Sequence, residues 1–197
     1  MDRERLNELL YEALETERGG IEVYEAAIAC ADNEDLRKEW EEYHEQTQQH
    51  EKVLLDVFAT LKLDPEHETA GRLIVRQKGK ALVEAMQAAR AEGDMKRAQV
   101  VAAECVVDAE TKDHLNWELI GAAAEKLGGV EGKALKEANK EVEDEEDEHL
   151  YHTMGWCREL WMESLGLPAV IPPPEGQKDV KTAIGAARAK QARKEML

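Results

Sequence analysis

Phenylalanine occurs once in the 197 residues, and aromatic side chains make up only 5% of them. No stretch alternates Val, Ile or Thr with polar residues, which excludes a core built on strands. Cysteine is scarce too: Cys30, Cys105 and Cys157 are widely spaced and form no CxxC pair, so neither a disulfide framework nor a thiolate zinc site is expected. Each lies in an apolar helical stretch, where a lone thiol behaves as a small buried hydrophobe. Long hydrophobic runs are missing. Nothing approaches the ~20 apolar residues of a membrane span, and Met1-Asp2-Arg3-Glu4-Arg5 enters charge at once where a secretory leader would turn apolar. Positive charge is in deficit, with 26 Lys and Arg against 43 Asp and Glu and a net charge of −17. Nucleic-acid binders collect a basic face, so a nucleic-acid partner is not expected. What remains, 43% hydrophobic residues in a chain of this length, predicts a soluble, cytoplasmic protein with one compact domain.

Ala, Leu and 32 Glu dominate, and the apolar positions recur at helical spacing. Positions 6, 9/10, 13/14, 21, 24 and 28 predict a first helix over about 3–31. Ala31-Asp32-Asn33-Glu34-Asp35 supplies stop and capping chemistry, after which Leu36, Trp40, Tyr43, Leu54, Phe58 and Leu61 carry a second helix to Leu63-Asp64-Pro65. A weaker helix follows, with Leu73, Ile74, Leu82, Val83 and Met86 among Gly71, Gly79 and basic residues, ending near Glu92-Gly93-Asp94. Val100, Ala103, Val107, Trp117, Ile120 and Leu127 mark a third long helix that stops at Gly128-Gly129. Leu135, Ala138, Val142, Trp156 and Leu160 mark the fourth, up to Gly166-Leu167-Pro168.

The 34 residues from Asp64 to Arg97 are far more than an up-and-down bundle needs between its helices. The pattern therefore predicts an all-α four-helix bundle over residues 1–166, made of two helical hairpins joined by a long, partly helical crossover. Residues 167–197 hold Pro172-Pro173-Pro174 and then six basic residues from Lys178 onward. They read as a proline-containing linker and a basic terminal helix or disordered tail.

Each long helix carries polar residues in its apolar seam at mid-length. The seams run 10, 14, 17, 21, 24; then 40, 43, 47, 50, 54; then 103, 107, 110, 114, 117, 120; and finally 138, 142, 146, 149, 153, 156. Glu17, Thr47, His50, Glu110, His114, Glu146 and His149 are the interruptions. A carboxylate on a core face is costly unless paired or bound to metal. Residues facing each other across an antiparallel hairpin lie symmetrically about its turn. The midpoint of 17 and 50 falls in the Asp32–Asp35 turn, and that of 110 and 149 falls in the Gly128–Gly132 turn. Both pairs can thus meet, and the two hairpins repeat one arrangement. A Glu from one helix and Glu-x-x-His from the next is the pattern that builds a di-iron or di-manganese carboxylate site in a bundle.

The motif by itself is cheap: six His and 32 Glu in 197 residues give about one Glu-x-x-His by chance. Two are present, Glu41-x-x-His44 and Glu146-x-x-His149, and only the second lies on a seam. The matching triplet in the second helix is Thr47-x-x-His50. The run Glu143 to Glu148 is mainly a solvated face with Glu146 turned inward. His50 reads either as a hydrogen-bonded core histidine or as a ligand, and its partner Glu17 favours the ligand. His114 reads as a ligand or as an outer group orienting one. His44 and His152 lie one turn beyond the level. Tyr24, Trp117 and Trp156 read as core aromatics, oxidisable if iron is near.

On these residues the chain resembles the ferritin-like superfamily, and within it the YciF-type stress-protein branch. The likeness rests on Glu17 followed seven residues later by Tyr24, on Glu110 followed by Trp117, on His44-Glu45-Gln46-Thr47 with Val53-Leu54-Leu55-Asp56-Val57-Phe58, and on Gly71-Arg72-Leu73-Ile74 in the crossover. It spans about 1–163. The resemblance implies a cytoplasmic four-helix bundle, often a homodimer, with a possible dinuclear centre and a link to oxidative stress. Ile184-Gly185-Ala186-Ala187-Arg188 also resembles the terminal peptides that direct ferritin-like proteins into encapsulin shells.

Two functions follow as expectations. One is a metal-dependent redox protein of ferroxidase or peroxidase type. Its Fe or Mn would be dinuclear or mononuclear and held by Glu17, His50, Glu110, Glu146 and His149, with Thr47, His114, His44 and Tyr24 as outer groups or extra ligands and oxygen or peroxide as co-reactant. The other is a non-enzymatic helical stress or interaction protein with a degenerate site. It is suggested by Thr47, which stands where metal-active ferritin-like proteins have Glu.

Overall fold

Local capping chemistry sets the boundaries of five helices in the computed structural model, which describes residues 1–167. They are α1 (Arg3–Cys30), α2 (Glu34–Leu61), α3 (Ala70–Ala91), α4 (Met95–Ala124) and α5 (Gly129–Ser164). Asp2, Asn33, Thr69 and Asp94 each accept a backbone N–H of the first turn of α1 to α4, satisfying donors that a helix start leaves open. Lys62, at φ 57°, closes α2 in the left-handed conformation just before Asp64-Pro65. Among the described residues there is no strand.

One expected boundary moves. Leu127, assigned by its spacing to the third long helix, lies in the turn after α4, because the N–H groups of Lys126 and Leu127 both fold back to Ala123 O. The tightened chain presses on α5: a Cβ at Gly132 would stand 1.6 Å from the Leu127 carbonyl oxygen, so only glycine fits there.

α1 packs against α2 and α4, and α5 against α4 and α2, so the four long helices form a closed ring. The core is split along its length into two apolar clusters. One joins Val23 to Cys30 of α1 with Leu36, Trp40 and Tyr43 of α2, Ala98 to Val106 of α4 and Leu160 of α5. The other joins the start of α1, the end of α2, Trp117 to Ala124 of α4 and Leu135 to Val142 of α5. Each end thus mixes helix starts with helix ends, and every neighbouring pair runs antiparallel. Between the clusters lies a polar layer at mid-bundle.

α3 is the crossover that returns the chain to the first end, lying across α1 and α4. A buried ion pair fixes it. Arg72 Nε donates to Glu15 Oε2 at 3.0 Å, and its Nη1 donates to the Pro65 and His67 carbonyls at 2.7 and 2.9 Å. Arg76 reaches the same carboxylate from the more exposed side at 2.6 Å. Burial by itself would raise Glu15, but the hydrogen bonds and charges of the two guanidiniums outweigh it and hold the carboxyl below its usual range. Gly71 comes so close to α1 that a Cβ would meet Glu8 Oε1 at 2.3 Å, while its N–H donates to that oxygen at 3.0 Å.

Among the described residues no helix is long and apolar enough to cross a membrane. Cys30, Cys105 and Cys157 are free thiols, and burial pushes Cys105 and Cys157 up to about 11, which suits packing rather than reactivity. The proline triplet, the basic terminal stretch and the peptide at 184–188 lie outside the described residues.

Candidate metal centre

Six titratable side chains from all four long helices converge on the layer between the two apolar clusters. Glu17 comes from α1, His50 from α2, Glu110 and Asp113 from α4, and Glu146 and His149 from α5. None is more than 4% exposed. The amphipathic pattern carries them inward, since each lies on the buried, mainly apolar face of its helix.

The two pairs placed together by their symmetry about the turns do meet. His50 Nδ1 lies 3.9 Å from Glu17 Oε2. His149 Nδ1 lies 3.6 Å from Glu110 Oε2 and, one turn along its own helix, 3.6 Å from Glu146 Oε1. The hairpins also touch each other: His50 Nδ1 stands 2.9 Å from Glu146 Oε1, and the imidazoles of His50 and His149 stack with centroids 5.6 Å apart.

The far side of each imidazole fixes its tautomer. His50 Nε2 donates to Glu145 Oε2 at 2.8 Å, and His149 Nε2 donates to Gln46 Oε1 at 2.8 Å. Both acceptors lack a proton to give, so Nε2 carries a hydrogen and Nδ1 faces the layer. This is the outer support that metal-bound histidines use. Glu145 is held below the usual carboxylate range by that His50 hydrogen bond.

The inward atoms face one another rather than a hydrogen-bond donor. Glu17 Oε2, His50 Nδ1, Glu110 Oε2, Asp113 Oδ1, both Glu146 oxygens and His149 Nδ1 are buried without a hydrogen-bond partner. The other Glu17 oxygen is held by Trp117 Nε1 at 2.7 Å, which aims the free one inward. Native interiors pair nearly all such atoms, so seven in one layer call for protons or a cation shared among them. Two lone-pair atoms 2.9 Å apart, as in His50 and Glu146, repel unless a proton or a cation lies between them. Without a cation the layer takes up protons. Glu17, Asp113 and Glu146 are all pushed well above the carboxylate range, first by burial and then by neighbouring carboxylates: Asp113, Glu146 and Glu110 act on Glu17, Glu146 and Glu110 on Asp113, and Glu110, Glu145 and Asp147 on Glu146.

The donor atoms of His50, Glu146 and His149 lie mutually within 4.8 Å, as do those of Glu17, Asp113 and Glu146. Carboxylate oxygens with imidazole nitrogens suit Fe, Mn, Co or Zn, and the four carboxylates and two imidazoles match the donor count of di-iron and di-manganese bundle sites. The residues present could therefore hold a metal ion.

Asp113 is the group the sequence reading missed, and His114 the one it misplaced. The seam spacing points to His114. It is half-buried on the outer side instead, with Nε2 2.7 Å from Asp147 Oδ1, a contact that raises its pKa. The inward phase of α4 runs through Ala103, Val106, Glu110, Asp113, Trp117 and Ile120. The signal available was Glu110-x-x-Asp113, the spacing of Glu146-x-x-His149.

Thr47 is buried, its hydroxyl donates to the Tyr43 carbonyl of its own helix at 2.8 Å and its methyl faces Gly20, so it brings the layer no carboxylate. Tyr24 is buried with its ring 6.0 Å from His149, and its phenol is pushed up by burial and by the neighbouring Glu110. His44 stays outside, 3.7 Å from Glu25. His152 is buried one turn beyond the layer, with Nδ1 3.0 Å from Tyr43 Oη and 3.2 Å from Glu39. No family model, curated protein or solved structure matches the chain.

Proposed function

We propose that this chain is a ferritin-like protein holding a dinuclear Fe or Mn centre inside its bundle, acting in iron oxidation or in protection against oxidative stress. The observation that carries the reading is the inward, unpartnered donor atom on each of six buried residues from four helices. Glu17, Glu110, Asp113 and Glu146 would supply the negative charge that offsets two divalent ions, and His50 and His149 two neutral nitrogens. A bound Fe or Mn supplies one-electron exchange with oxygen or peroxide. The protein fixes the ligands, excludes bulk water between two apolar clusters, and sets each imidazole through Glu145 and Gln46.

The competing reading, a helical stress or interaction protein whose site has decayed, rests on Thr47. Asp113 weakens it, because α4 returns the carboxylate that α2 lacks. Anaerobic titration of the chelator-treated chain with Fe²⁺ or Mn²⁺ separates the two. At a free ion concentration one hundred times Kd, linkage adds about 2.7 kcal/mol, a melting rise of roughly 5–10 °C for a chain of this size. No bound metal and no shift would leave the decayed-site reading standing.

A further inference from the structure

A cleft of about 370 Å³ lies where the crossover α3 spans α1 and α4. Its walls are apolar, with Val23 of α1, Val75 and Leu82 of α3 and Ala109 of α4, and none of the six donors of the polar layer lines it. Two further lining residues are helix-interior glycines that packing does not demand. A Cβ at Gly19 would meet nothing within 4 Å, and one at Gly79 would reach only the Gly19 Cα at 3.8 Å, an ordinary contact. Neither has a positive φ. Glycine inside a helix is unfavourable relative to alanine, so what these two positions provide is the space itself.

The solvent side of the cleft carries cations. Lys78 is exposed and pairs with no carboxylate among the described residues. Lys112 is held by Glu12 Oε2 at 3.0 Å and by Asn116 Oδ1 at 2.6 Å, which leaves one of its three donors over. In a chain of net charge −17, α3 stands apart, with five Lys and Arg against Glu84. Apolar walls around this volume, with a few charged groups at the edge, are the form of a site for a small amphipathic molecule. We propose that the cleft binds a medium-chain monocarboxylate, with its carboxylate at Lys78 and Lys112 and an apolar tail of about six to ten carbons along the walls. Lys78 offers an anion an unpaired partner on a protein whose acidic surface repels anions elsewhere. The site is separate from the polar layer and rests on no part of the metal reading.

Isothermal titration calorimetry of the full chain with octanoate, before and after chelator treatment, tests this. One equivalent should bind in both states, about tenfold or more tighter than n-octanol or octylammonium, the cation that the exposed Asp108 on the same rim would favour. Affinity should rise about three- to fourfold per methylene from hexanoate to octanoate and gain nothing further in palmitate, which is too long for the cleft. Gly19→Leu has room to send its side chain into the cleft, so it should melt no lower than the unaltered chain and lose octanoate. Lys78→Gln should weaken octanoate about tenfold and leave n-octanol unchanged. An unaltered chain that binds no octanoate would overturn the proposal, as would binding that persists in Gly19→Leu, that octylammonium matches, or that does not saturate at one equivalent. Octanoate taken up by the metal-loaded chain alone would place the carboxylate at the metal and overturn the cleft while sparing the metal reading. The head-group series and Lys78→Gln decide the matter even if Gly19→Leu fails to fold.

Discussion

Replacing Glu146 by methionine should stabilise the metal-free protein and destabilise the metal-loaded one relative to the unaltered chain. Glu146 is 1% exposed, both its oxygens lack a hydrogen-bond partner, and burial together with Glu110, Glu145 and Asp147 pushes its pKa well up. Methionine has nearly the same length and nothing to desolvate. Removing one orphaned carboxyl should return about 1–2 kcal/mol, a rise of roughly 2–8 °C in melting temperature. With metal the order reverses. Glu146 belongs to both ligand groups, so the variant forfeits the roughly 2.7 kcal/mol that one hundredfold saturation gives the unaltered chain. Calorimetric melts of both proteins, after chelation and again under anaerobic Fe²⁺, would show the curves crossing. If methionine lowers the metal-free melting point, or if metal raises both proteins equally, Glu146 is a structural residue and the reasoning fails.

Glu110→Ala should abolish metal uptake with the helical content intact, whereas Glu143→Ala, on the exposed face of α5, should change neither; equal effects in elemental analysis would mean the helix phases are wrong. Glu145→Gln keeps an acceptor for His50 but removes its charge, and should weaken metal affinity by about tenfold or more without altering the circular dichroism spectrum. Metal uptake should release protons and tighten as pH rises, because the folded-state pKa values of Glu17, Asp113 and Glu146 are raised and an entering ion must displace their protons; equal calorimetric heats in buffers of different ionisation enthalpy would contradict this. Arg72→Ala should cost about 3 kcal/mol in urea unfolding at neutral pH, leaving two carbonyls and part of Glu15 unpaired. Since Glu15 is held below its free value, its pairing supports the fold above that value and is lost as pH falls through the depressed one, so the gap between Arg72→Ala and the unaltered chain should narrow in acid.

What the sequence disclosed and what it withheld have separate physical causes. Helix ends were legible because caps are local: the Ala31-to-Asp35 stretch announces the turn into α2, where Asn33 is the cap. Contacts within a hairpin were legible because a short turn fixes which residues face each other, and Glu17 with His50, or Glu110 with His149, needed only that symmetry. Contacts between hairpins were not, because a long crossover leaves the relative height of the halves undetermined; the 2.9 Å approach of His50 to Glu146 is a property of the ring. The slip from Asp113 to His114 has a third cause. A helix packed on one side declares its phase, but α4 is covered by α1, α3 and α5 at once, and its alanines read as inward on several faces. One residue is about 100° of rotation, enough to exchange a buried carboxylate for a half-exposed imidazole. A histidine also looks like a ligand to a reader searching for metal, while an aspartate in an acidic chain looks like surface. Where coverage on several sides blurs a helix's phase, a carboxylate three residues from another seam carboxylate is the better guide, as Glu110-x-x-Asp113 shows beside Glu146-x-x-His149.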